Sequence, residues 1–187
     1  MVSPALSKPI ADDGILLYTG IYRQAASANN AGGNNNQNNN NQNNTDVNIT
    51  SGKYSIGTYI TGIEPGTGAA DFVKNIAVSA SGTVKLLTSS GSENSGKIAT
   101  GNKVAVYDAS GNLKKTYDIV IYGDINGDGA VNALDMIKLN RHILGKGTLT
   151  GAYLEAADAN RKRDGGNALD MIIMNRHILG KSKISQN

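Results

Sequence analysis

The sequence predicts an α+β chain of several modules, a small β-rich, sandwich-like module followed by an all-α module of two loop–helix units. Three observations predict it. An Asn/Gln-dominated tract interrupts the chain at 25–52, the pattern over 53–122 is mostly that of strands, and a close internal repeat occupies the C-terminal third. The expected organisation is a tail of an upstream region at 1–24, a disordered linker at 25–52, a β-rich module at 53–122 and a C-terminal module at 123–187.

Residues 1–24 hold one short strand-like run, Ile15-Leu16-Leu17-Tyr18 to Ile21-Tyr22, too short to fold alone. The Asn/Gln tract has almost nothing apolar to bury and is expected to behave as a tether. The period-two pattern starts at 54–60, as in a half-buried strand. Thr67 is placed to cap a short helix over 69–74. Further strands are expected at 76–79, 84–87, 104–107 and 116–122, the last two joined by the turn Asp108-Ala-Ser-Gly111-Asn112. This module has no His, Cys or Arg and no paired carboxylates, so it carries no readable chemistry.

Composition removes several function classes. There is no Cys, hence no disulfide framework and no thiolate metal site. A net charge of +3, with no basic run interleaved with aromatics, argues against a nucleic-acid partner. No apolar stretch reaches membrane-spanning length. The start, Met1-Val2-Ser3-Pro4, lacks the features of a signal peptide, so a secreted protein would include more chain than this.

The repeat has a spacing of 35: Asn132 to Lys146 recurs as Asn167 to Lys181, differing only at Lys138 against Ile173 and Leu139 against Met174. Each copy reads as a helix of about three turns ended by Gly145 or Gly180. A shared core would not require identity at surface positions as well. Before the first copy stands Asp124-Ile-Asn126-Gly-Asp128-Gly129-Ala130-Val131-Asn132-Ala-Leu-Asp135. Oxygen donors at alternate positions wrap a hard cation. Asp124, Asn126, Asp128, the Ala130 carbonyl, Asn132 and a bidentate Asp135 form the candidate first site, Gly129 allows the sharp turn, and Val131 is expected to pair with the twin loop. The closing residue is Asp where EF-hand sensors carry Glu, and the segment entering the loop is β-patterned; each unit is thus expected to be a loop with an exiting helix and no entering one, which disfavours a sensor that opens on binding.

The second loop offers Asp158, Asn160, Asp164 and Asp170 but is irregular: two extra residues lie between Asn160 and Asp164-Gly165 and one is missing before Asn167, three consecutive cations (Arg161, Lys162, Arg163) sit in the loop, and Gly166 replaces Val131, weakening the expected cross-loop pairing. Two outcomes are open. The cations lower calcium affinity, or one of them folds over the acidic ligands and partly replaces the ion.

The run GDINGDGAVNALDMIKLNRHILGK and its second copy resemble dockerins, the duplicated calcium modules by which cellulosomal enzymes attach to cohesin modules of scaffolding proteins. The segment around ITGIEPGT and YDASGNLKKTYDIVIYGD resembles a dockerin-associated β module of clostridial secreted proteins. The resemblance implies calcium at one confident site and at a second, atypical one. It also implies a cohesin partner, an extracellular setting in polysaccharide degradation, and no catalysis by this chain, which is expected to be monomeric when free.

On each repeat helix Met136, Leu139 and Ile143, or Met171, Met174 and Ile178, fall on one side and are assigned to the core. The other side carries Ala133, Leu134, Ile137, Lys138, Arg141 and His142, with Ala168, Leu169, Ile172, Ile173, Arg176 and His177 in the copy. In dockerins this face meets the cohesin; on the residues alone, Leu134 and Ile137 fit a core equally well. The histidines are read as surface residues bordering that face. Rival readings are a calcium sensor or buffer and the C-terminal fragment of a secreted carbohydrate-active enzyme.

Overall fold

A computed structural model of the protein describes residues 47–79 and 81–187. The strand-like run at 15–22 and the tether up to residue 46 lie outside the described residues.

The β-rich part is a five-stranded sheet in the order β2-β3-β7-β6-β5, with a two-stranded ribbon of β1 and β4 beside it. The sheet strands are β2 (Ser55–Ile56), β3 (Tyr59–Thr61), β5 (Thr83–Leu87), β6 (Lys103–Tyr107) and β7 (Leu113–Ile119); the ribbon is β1 (Ile49–Thr50) and β4 (Ala77–Val78). All pairings are antiparallel except β3 with β7, which is parallel. Alternation sends Val104 and Val106 of β6, with Leu86 and Tyr117 on its neighbours, into one core. The helix α1 (Ala69–Val73) lays Phe72 into that core, stacked on Tyr54 with centroids 5.0 Å apart.

Two expectations here need correction. The linker does not run to residue 52: Val47 and Ile49 are buried, and Ile49 pairs with Val78. Two apolar residues at a spacing of two suffice to seat a strand when a partner edge is present, whatever the polarity around them. Thr67 does not cap α1; its hydroxyl donates to the Glu64 carbonyl at 2.6 Å, Gly68 is the N-cap, and the Ala69 amide is satisfied by the Gly96 carbonyl at 2.7 Å.

The C-terminal part contains α2 (Ala133–Ile143), α3 (Gly151–Ala157) and α4 (Ala168–Ile178). Asn132 and Asn167 cap α2 and α4, each accepting from the amide two residues on, while Asp135 and Asp170 return the bond to the cap amide. Leu139 and Met174 are fully buried, with Met136 and Met171 packed against the same cluster; Ile143 is 39% exposed and does not join it. The helix α3 was not anticipated. It enters the second loop and buries Ala152, Ala156 and Ala157, so the expectation that neither loop has an entering helix holds only for the first. Small alanines carry little periodic signal, and the residues of α3 form no strong apolar face.

The β-rich and helical parts share one stretch of chain. Tyr117, Ile119 and Ile121 point into the β core, whereas Val120, Tyr122 and Ile125 point into the helical one. Much of the backbone between them has a bonding partner from elsewhere in the chain. Val120 N–H donates to the Ile60 carbonyl, the Thr100 hydroxyl bonds both N–H and C=O of Ile121, and Gly123 N–H donates to the Ala156 carbonyl. The buried Gln186 carboxamide bonds Tyr122 on both sides, accepting from its N–H at 2.8 Å and donating to its C=O at 3.0 Å.

Gln186→Ala therefore strands two buried backbone groups, at about 1–3 kcal/mol each. Thermal unfolding should show a clearly lowered midpoint for Gln186→Ala, and Gln186→Glu should not rescue it, since its ionised carboxylate would be buried against the Tyr122 carbonyl without a cation. A midpoint unchanged in Gln186→Ala would show that water replaces the carboxamide.

Candidate metal loops and contact face

In the first loop the carboxylates are set by backbone amides. Asp124 Oδ1 accepts from Gly127 N–H at 2.9 Å and Asp128 N–H at 3.1 Å, and its Oδ2 accepts from Gly129 N–H at 3.1 Å and Thr100 N–H at 2.8 Å. Asp135 Oδ1 takes the amides of Ile125 and Asn126, both at 2.8 Å, and its Oδ2 takes that of Asn132 at 2.9 Å. Asn126 donates from its amide to Asp128 Oδ2 at 2.8 Å. Asp124 and Asp135 are wholly buried. Burial pushes the Asp124 carboxyl up to about 6, against the Thr100 amide and helped by the charge of Asp135. Asp135 is raised as well, again by burial.

The second loop reproduces this frame with different residues. Lys162 N–H donates to Asp158 Oδ1 at 3.1 Å and to Asn160 Oδ1 at 2.8 Å, the bonds that Asp128 N–H makes in the first loop. Arg163 N–H reaches Asp158 Oδ2 at 2.6 Å, as Gly129 does for Asp124. Arg161 and Arg163 hold φ of 55° and 59°, where Gly127 and Gly129 hold 77° and 79°. An L-residue in this region is strained, and two so close together are sustained here by the loop's hydrogen bonds. With Lys162 at the position of Asp128, the third carboxylate comes from Asp164. Oxygens of Asp158, Asp164 and Asp170 all lie within 4.8 Å of one another. Asp170 is wholly buried, and that burial raises its carboxyl above the ordinary range.

The alternative of a cation folded over the ligands is answered by the geometry. Arg161 places its guanidinium 5.8 Å from the centre of the Tyr122 ring, and among the described residues no lysine or arginine forms an ion pair with the carboxylates of either loop. Buried carboxylates without a cationic partner are costly. A donor set of carboxylate, carboxamide and carbonyl oxygens, with neither Cys nor His, fits a hard divalent cation. Asp124, Asn126, Asp128, Ala130, Asn132 and Asp135 are the residues that would hold one, and Asp158, Asn160, Asp164 and Asp170 a second. The expected β contact between the loops does not form among the described residues. Val131 packs on the helical core, and a Cβ on Gly166 would come within 2.7 Å of both Ala157 and Leu139, so Gly166 serves close packing.

The face assigned to a partner is open. Leu134, Ile137, Leu169 and Ile172 are 55–60% exposed, and Ala133, Lys138, Arg141, Ala168 and Arg176 are exposed beside them. Leu144 and Leu179, at the helix ends, are equally exposed and were missed; their repetition at a spacing of 35 was the available signal. Ile173 departs from the expectation and packs against the helical core, whereas its counterpart Lys138 reaches over Tyr153 at 5.8 Å. The histidines also have an internal job. Nδ1 of His142 accepts from Leu149 N–H at 3.3 Å, and Nδ1 of His177 from Ile184 N–H at 3.1 Å, each latching the chain that leaves its helix.

Residues 122–179 match the family model of the dockerin type I domain. Comparison with curated proteins and with solved structures gives no match. Dockerins are non-catalytic, calcium-binding attachment modules that bind cohesins, and the C-terminal segment of this chain, with its two acidic loops and two copied helices, is a dockerin module.

Proposed function

We propose that this dockerin binds calcium through both loops, tightly at the first and more weakly at the second, and docks onto a cohesin through the exposed strips of α2 and α4. Docking would anchor a secreted parent protein to a cellulosome-type scaffold or a cell surface, with the module at 47–122 as its non-catalytic neighbour. The observation that carries the reading is the exposure of Leu134, Ile137, Leu169 and Ile172 on a repeat whose identity extends to its surface. Solvent-exposed apolar strips of this kind mark interaction sites. Entry of the second loop by α3 favours a second reading, a sensor that opens on binding; a large calcium-driven opening without a partner would select it.

Calorimetry with calcium should resolve two events. Asp124→Ala should remove the tighter one and Asp158→Ala the weaker, because the positive charges of Arg161, Lys162 and Arg163 lie in the second loop alone. Equal losses from both would show that the second loop works as well as the first.

The raised carboxyl of Asp124 gives a pH dependence with a definite sign. Its folded pKa, about 6, exceeds its ordinary value of 3.8, so the folded state holds the extra proton between them. In chelator, stability should therefore fall as pH rises from 4 to 7, with on the order of 3 kcal/mol at stake. In excess calcium the trend should reverse, since the ion competes with that proton. Thermal midpoints across pH, with and without calcium, check both slopes, and parallel slopes would refute the assignment of Asp124 as a ligand.

Because the two strips are nearly identical, either can serve as the leading contact. Leu134→Asp or Leu169→Asp alone should weaken cohesin binding only slightly, and the double variant far more than the sum, a non-additivity read by a mutant cycle. Abolition by one single change would mean that only one strip is used.

A further inference from the structure

We propose that the turn at 98–101 of the β-rich module is the outer wall of the first calcium loop, so that module and metal stabilise each other, with the Thr100 amide as a positioning group for Asp124. The inference rests on the reading of the first loop as a calcium site. It starts from an asymmetry. Asp158 receives amides only from its own loop, whereas Asp124 receives one from residue 100, in another module.

Three further contacts join the first loop to the β-rich module, two of them to the same turn. Gly66 N–H donates to the Gly129 carbonyl at 2.9 Å. A Cβ on Gly129 would lie 2.5 Å from the Ile98 carbonyl, and one on Gly127 would lie 2.9 Å from that of Thr100. The two glycines therefore answer two demands, a positive φ for the loop and contact with the neighbouring backbone.

The wall is itself rigidly held. Ile98 and Thr100 are wholly buried. Ile98 N–H donates to the Thr67 carbonyl at 2.8 Å, and Gly101 N–H to that of Ile119 at 2.9 Å. The buried Asn102 accepts at Oδ1 from Ala99 N–H at 3.0 Å and from the Asn94 side chain at 2.7 Å. The Thr100 hydroxyl clamps Ile121, three residues before Asp124. The amide thus meets Asp124 Oδ2 from a fixed direction and orients the carboxylate before any ion arrives. Groups that orient a metal ligand from behind change metal affinity by about 10–100-fold when lost. Linkage makes the effect reciprocal, so calcium must hold the turn as firmly as the turn holds the ligand.

The test uses the full chain and calcium chloride, following amide signals of 126–130 for the first loop and 162–165 for the second by NMR. Ile98→Ala and Asn102→Ala loosen the wall from two directions; Val106→Ala truncates the same core on β6, which contributes no group to the loop. The expected result is a roughly tenfold weaker first-loop affinity in both wall variants, with the second loop and the Val106→Ala chain unchanged. In the unaltered chain, calcium should slow hydrogen exchange at the Thr100 amide, and this measurement decides the matter even where a variant fails to fold. First-loop affinity equal in all chains, or Thr100 exchange indifferent to calcium, overturns the proposal while leaving the calcium site standing. Absence of any calcium response at 126–130 in the unaltered chain overturns the calcium reading of that loop, and the proposal with it.

Discussion

The structure depends on one run of chain, from Tyr117 to Ile125, that belongs to two cores at once. A strand turns successive side chains to opposite faces, so Ile119 and Ile121 fill the β core while Val120 and Tyr122 fill the helical one. Sliding the strand by one residue would exchange the two sets and empty both cores. Its backbone cannot be hydrated at that depth. Its N–H and C=O groups are met by Ile60, the Thr100 hydroxyl, the Gln186 carboxamide and Ala156, partners drawn from four distant parts of the chain. The chain on either side of residues 122 and 123 is thus bonded to both the β-rich and the helical parts.

The same logic governs the acidic loops. Carboxylates buried to the extent of Asp124, Asp135 and Asp170 need compensation, and among the described residues they receive amide dipoles and no cationic side chains. Amides orient the oxygens without neutralising them, which leaves room for a divalent ion where a lysine would have closed the site. That explains how three basic residues are tolerated inside the second loop. Arg161 and Arg163 contribute backbone to the turn at positive φ, and the guanidinium of Arg161 lies over the Tyr122 ring.

Much of this was legible from residues alone. The repeat, its two helices with their glycine stops, the acidic loops and the hairpin at 108–112 follow from local patterns that need no knowledge of neighbours. Contacts between distant segments were not legible. Val47 and Ile49 sit in a polar tract, and Ile49 becomes a strand residue only because β4 offers an edge. Thr67 looked like a cap, but its hydroxyl was satisfied locally by Glu64. Ile173 looked like the surface twin of Lys138 until the helical core claimed it. The alanines of α3 are small enough to pack closely and too weakly patterned to announce a helix. The Thr100 amide could not be found from sequence at all, since any residue but proline supplies one.

The histidine latches bear on how such a chain arises. Each repeat carries its own start in Asn132 or Asn167, its own stop in Gly145 or Gly180, and its own fastening in His142 or His177 for the chain beyond. A segment with both ends already secured can be copied in tandem without exposing a frayed terminus. Within the copied stretch the two copies differ only in mid-helix, at Lys138 against Ile173 and Leu139 against Met174. Duplicating such a unit demands little tailoring at its ends, because both ends are already secured.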